Sequence, residues 1–268
     1  MHPRTSNSLY LGGTSYVLHP RALSFPVSCE TFPYLEHHRI FAEGFLLALI
    51  ESYYLLYLNY TKSKNQILTE LPSNAGVYGQ HFFCITVSKT TSEKIAELLN
   101  YINVSNNASV KKDNVNSSAN KWITALINNK YDTSYPTELQ TTIKSKMGVD
   151  FNFISKSYLK KVIPYDTTVR SIYSDDFYVR TWTKPAIAPA ICEDYSIFNV
   201  QNVKFGEYGY SKGKEHSKWA ISVFKYINCF ADLNHCPSQD DRGGNIVCFE
   251  NEKLHEIMKN AVVDIDSC

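Results

Sequence analysis

The feature that most constrains the fold is a change of pattern near residue 148, after which strand-like runs follow one another almost to the end. The runs at 150–164, 167–173, 177–184, 195–205 and 218–230 are rich in β-branched and aromatic residues, which fit a pleated, half-buried surface. Turn clusters such as Ser174-Asp175-Asp176 and Gly206-Glu207-Tyr208-Gly209 divide them. The gaps are too short for crossover helices, so the spacing predicts an antiparallel sheet. A last strand, Asn245–Phe249, leads into a helix over about 250–262 with Leu254, Ile257, Met258 and Ala261 on one face.

Ahead of that boundary the pattern is mixed. Residues 8–18 read as two short extended pieces about Gly12-Gly13. The run 36–60 is apolar on almost every face (Ile40, Phe41, Phe45, Leu49, Tyr53, Leu56, Tyr57), which predicts a long buried helix. A membrane span fits less well, because Glu51 sits at its centre. Residues 80–88 read as a strand, and Thr90-Thr91-Ser92-Glu93 has the spacing of a capping box opening a helix to about 102. The polar tract 103–120 is an exposed loop or lobe seam, with short helices expected over 119–129 and from Ser134-Pro136 to Met147. Helices early and strands late define an α+β chain, read as one domain over 1–268.

Charge narrows the function classes. With 27 basic against 26 acidic side chains, the surface exerts no long-range pull on nucleic acid, so no strong nucleic-acid signal is present. The start lacks an apolar stretch of signal-peptide type, and seven scattered cysteines form no CxxC pair. Free thiols in a reducing, cytoplasmic setting are expected, with no membrane partner.

Gly209-Tyr210-Ser211-Lys212-Gly213-Lys214-Glu215 has the wrong spacing for a phosphate loop and reads as a Gly/Lys turn. Its alternation of Tyr208, Tyr210, Lys212 and Lys214 also has the look of a single-strand binder, offset by Glu207 and Glu215. Cys229, His235, Cys236, Cys248 and His255 concentrate donors within 27 residues, yet no zinc-knuckle spacing joins them. No metal or cofactor is therefore expected. Cys29 with His81 or His216 and an aspartate is the only nucleophile set in view, without a local signature, so the catalytic residues stay unassigned. His37-His38 reads as a solvated first turn and Asp175-Asp176 as turn chemistry.

One segment carries a likeness. Tyr158-Leu-Lys-Lys-Val-Ile-Pro-Tyr-Asp-Thr167 followed by Phe177-Tyr-Val-Arg-Thr-Trp-Thr-Lys184 resembles a stretch of insect-virus polyhedrins, the occlusion-body matrix proteins. The resemblance implies a self-assembling structural protein, packed through tyrosine-rich surfaces that ionise in strong alkali. Nineteen tyrosines suit that role. The alternative is a cytosolic hydrolase or transferase whose Cys/His site leaves no local signature.

Overall fold

The computed structural model describes residues 8–11, 14–19, 56–58, 80–85, 87–102, 108–110, 121–128, and 138–268 except 146, 183–185, 212, 215 and 267. In the first part, β1 (Ser8–Leu11) and β2 (Thr14–His19) form the expected hairpin, and β2 pairs with β4 (Gln80–Ile85). Helix α1 (Lys89–Tyr101) is capped two residues before the expected Thr90, because Ser88 Oγ accepts from the Thr91 amide at 3.2 Å. The long helix over 36–60 lies outside the described residues except at β3 (Leu56–Leu58), which is a strand paired with β5 (Ala108–Val110). Helix α2 (Lys121–Ile127) falls where the pattern put it.

From 138 onward the chain builds one nine-stranded sheet. Its strands are β6 (Glu138–Lys144), β7 (Asp150–Lys156), β8 (Phe177–Arg180), β9 (Ile197–Phe205), β10 (Tyr208–Ser211), β11 (Trp219–Ser222), β12 (Ile227–Ala231), β13 (Gly244–Glu250) and β14 (Val262–Ile265). The order is β10-β9-β8-β11-β12-β13-β7-β6, and β14 also pairs with β9, over Val200–Val203. Every pairing is antiparallel except β8 with β9, which runs parallel. Helix α4 (Glu252–Ala261), capped by Asn251 Oδ1 on the Leu254 amide at 2.9 Å, packs near β11 and β12.

The central strands β11, β12 and β13 are buried on both faces. Rows of register partners alternate across the sheet: Val179, Ala220, Cys229 and Cys248 line one face, and Trp219, Phe230, Val247 and Phe153 the other. The first face is covered by Ile163, Tyr165 and Val169. On the second, Phe249 bridges Phe151 and Phe230, with ring centroids 5.0 and 6.1 Å away. Each such fully buried side chain contributes about 1.5–3 kcal/mol.

Three sequence readings are corrected by this architecture. The helix expected from Ser134-Pro136 to Met147 is instead strand β6, since Thr141, Thr142 and Ile143 favour the pleat and the run pairs along all of β7. The expected strand 167–173 is helical: a π-turn at Tyr165–Val169 runs into α3 (Arg170–Tyr173), burying Tyr165, Thr168 and Val169 at the 3–4 spacing of a helix. Four of the expected free thiols are paired. Cys229 and Cys248 are directly opposed on β12 and β13 and form a buried disulfide, and Cys192 joins Cys268. Cys236 is the one free cysteine among the described residues.

Candidate functional site

Strand order brings the charged residues together at one end of the sheet. The N-terminal end of β11, the C-terminal ends of β8, β12 and β7 and the start of β13 all reach that end. There His216, Ser217 and Lys218 lead into β11, and the ladder continues past the strand, with the Ala231 amide donating to the Lys218 carbonyl at 2.9 Å. Asp232 follows β12, Arg242 precedes β13 and Thr181-Trp182 follow β8.

His216 is half-buried, with its ring against the Trp182 ring at a centroid distance of 4.8 Å. Burial, reinforced by the Lys218 ammonium, lowers its pKa to about 4, so the imidazole is neutral through most of the acid range. Lys218 is almost fully buried, and its Nζ donates to the His216 carbonyl at 2.9 Å, folding the lysine back over the residue two positions earlier. Asp232 is raised by burial, opposed first by Arg242, then by the Asn245 amide that it accepts at 2.9 Å, and by Lys218. Lysine, arginine and carboxylate thus feel one another at this end of the sheet. The arrangement sets an uncharged nitrogen base beside a fixed cation, which is suited to chemistry on an anionic ester.

Next to it the segment after β12 carries His235, fully buried and hydrogen-bonded through both ring nitrogens, to Asp166 Oδ1 and Asn199 Oδ1, each at 2.6 Å. Its amide donates to Thr181 Oγ1 at 3.0 Å.

The donors singled out in the sequence do not assemble as a metal site. Cys229 and Cys248 are bonded to each other, His235 is held by Asp166 and Asn199, and His255 Nε2 meets the Ser222 carbonyl at 2.7 Å. Among the described residues no group of three or more His, Cys, Asp or Glu converges. Cys29 and His37-His38 lie outside the described residues, as does the side chain of His81. In the Gly209–Glu215 loop, Tyr208 and Tyr210 belong to β10, while Lys212 and Glu215 lie outside the described residues. Asp175 and Asp176 cap backbone amides at Phe224, Lys225 and Ser196, in keeping with turn chemistry.

His216 was visible in the sequence only as a distant partner for Cys29, and Lys218 as the first residue of a strand. The signal that finds them is their i, i+2 spacing at a strand start, which puts a base and a cation on one side of extended backbone.

Fold and site together define an α+β protein with a histidine–lysine pair at the end of a mainly antiparallel sheet. The sequence profile of the family described as Deoxyribonuclease II matches residues 27–268, and the chain belongs to that family. It is 29% identical over 205 residues to Plancitoxin-1 of Acanthaster planci, covering 74% of this chain and 56% of the relative. Deoxyribonuclease-2 of Caenorhabditis elegans is 26% identical over 189 residues, covering 69% and 50%. Deoxyribonuclease-2-alpha of Mus musculus is 22% identical over 204 residues, covering 74% and 57%. The chain spans about half the length of the curated relatives it matches.

These matches overturn the polyhedrin resemblance and the structural, occlusion-body role drawn from it, and favour the alternative of a hydrolase. The segment that carried the likeness has ordinary architectural work. Phe177–Arg180 is β8, and buried Arg180 donates from Nη1 to the Val200 and Gln201 carbonyls at 2.8 and 3.1 Å, tying β8 to β9. The aromatic run reflects burial of a central strand.

Proposed function

We propose that the chain hydrolyses phosphodiester bonds in DNA, with His216 and Lys218 at the reacting phosphate. The observation that carries the reading is the neutral His216 imidazole beside the Lys218 ammonium at an end of the sheet that also holds Arg242. Membership of the family and the printed names of the relatives support the substrate class. His216 takes a proton from the attacking water as the water oxygen bonds to phosphorus; the P–O bond to the leaving sugar oxygen breaks, and that oxygen takes the proton back from the imidazolium. Lys218 balances the charge that grows on the phosphoryl oxygens. Asn234, two residues past Asp232, keeps its buried side-chain amide oxygen Oδ1 without a hydrogen-bond partner among the described residues, which a water hydrogen would satisfy.

A net charge of +1 means that the duplex is held by local groups, with little long-range steering. The two disulfides support an oxidising working environment in place of the cytoplasm expected from the sequence.

The test is cleavage of plasmid DNA by the purified chain between pH 3 and pH 8, alongside His216→Ala and Lys218→Met. Loss of about a hundredfold or more in kcat/KM in both variants is expected. A folded wild-type chain that leaves DNA intact, or variants that retain full activity, would refute the assignment.

A further inference from the structure

Among the described residues, a polar chain that is buried at its centre, His235 and Asn199, is not used by the proposed reaction. It runs Asp166, His235, Asn199, Asp266, from the π-turn through the segment after β12 and the middle of β9 to the end of the chain. The amide of Asn199 decides how its hydrogens are arranged. Asn199 Nδ2 donates to Asp266 Oδ2 at 2.6 Å and to the Ala188 carbonyl at 3.0 Å, which uses both amide hydrogens. The reversed amide would set its oxygen against a carboxylate and a carbonyl. Asn199 Oδ1 is therefore the acceptor that faces His235, and His235 Nδ1 carries a hydrogen. At the other nitrogen, Nε2 meets Asp166 Oδ1 at 2.6 Å.

The backbone of His235 is equally committed. Its amide donates to Thr181 Oγ1 and its carbonyl accepts from the Ala188 amide at 2.9 Å, so every polar group of this residue is engaged. Solvent does not reach it, so it cannot touch substrate. Tyr165 closes the pocket with its ring edge-on to the imidazole at 5.9 Å, and its hydroxyl donates to the Leu233 carbonyl at 3.0 Å. Thr181 is the link outward, because the next residue is Trp182, whose ring covers His216.

We infer that His235, locked by Asp166 and Asn199, is a positioning residue that sets the end of β8 through Thr181 and so holds Trp182 over His216. This rests on the reading of His216 as the reacting base. Buried networks with every member satisfied rigidify their surroundings, and misplacement of a reacting group by about 1 Å costs about a hundredfold in rate.

Three variants test it. Thr181→Val keeps the shape and removes only the acceptor for the His235 amide, Thr181→Ser restores the hydroxyl, and Asp166→Asn removes the carboxylate. In Thr181→Val and Asp166→Asn, kcat on DNA is expected to fall by about tenfold or more with KM changed less than about twofold. The His216 titration, read by NMR of histidine-labelled protein, should move up from about 4 as its aromatic cover loosens. Thr181→Ser should return both to wild-type values. A lowered melting temperature with kcat per folded molecule and the His216 titration unchanged would show a structural role only and overturn the inference. Should the folded wild type fail to cleave DNA, the proposed function falls alone, because the His216 titration in the Thr181 pair still decides the positioning claim. An Asp166→Asn chain that does not fold leaves the decision with that same pair.

Discussion

Replacing Trp182 by alanine tests the electrostatic core of the site. The ring lies 4.8 Å from that of His216, and burial is the larger cause of the imidazole's lowered pKa, ahead of Lys218. With a pKa of about 4, about 90% of His216 is the free base at pH 5; at the ordinary 6.5 the figure is about 3%, a roughly thirtyfold difference. Removing the indole wets one ring face and leaves Lys218 in place, so a rise of about one to two units is expected. Activity of Trp182→Ala at pH 5 should then fall by about two- to tenfold relative to wild type. At pH 8, where either imidazole is neutral, the loss attributable to ionisation disappears. The assay is the acid limb of kcat/KM on DNA, paired with the NMR titration of His216. Lys218→Met should move the titration in the same direction by less. A wild-type limb near 6.5, or a limb that stays at about 4 in Trp182→Ala, would refute the argument.

Other outcomes follow from the same geometry. Because folding lowers the His216 pKa, its neutral form is favoured in the native state. Its contribution is complete above about pH 6.5, is lost as pH falls to about 4, and stays well below a ceiling of about 3 kcal/mol because the group is partly solvated. Urea unfolding of wild type and His216→Phe across that window measures it. Gly243→Ala would drive a Cβ into the Ile102 carbonyl oxygen and separate the end of α1 from the start of β13, a loss of about 1–3 kcal/mol readable as a lower urea midpoint. Replacing Cys229 and Cys248 together by alanine opens a closed segment with a sequence separation of 19, and the chain-entropy estimate is a loss of about 3 kcal/mol in the same assay.

Much of the C-terminal half was legible because its strands obey local rules. Lys218–Phe230, read as one strand-like run, is two strands, β11 and β12, joined by a turn over Val223–Tyr226, and Asn245–Phe249 followed by an amphipathic helix is what β13 and α4 became. Tyr165–Tyr173 misled because its β-branched residues outweighed a 3–4 burial spacing that appears only once the sheet beneath it is known. Glu138–Lys144 misled in the other direction, since a proline and serine upstream imitate a helix start. The site was hidden for a different reason. His216, Trp182, Asp232 and Arg242 are scattered over some sixty residues, and only the order β8-β11-β12-β13 makes them neighbours. The cysteines were misjudged because pairing depends on register, and Cys229 faces Cys248 only through the β12–β13 alignment.

The lone parallel pair, β8 with β9, has a consequence for how such a protein diversifies. A parallel neighbour cannot be reached by a tight hairpin, so the chain must travel back the length of a strand between Arg180 and Ile197. That return segment holds Trp182 against the site, Ala188 against His235, and Cys192 against Cys268. Length changes between those three fixed points would leave every strand register as it is. Evolution and the protein engineer share the same handle there: the return segment can change in length while the sheet that carries His216 is left alone.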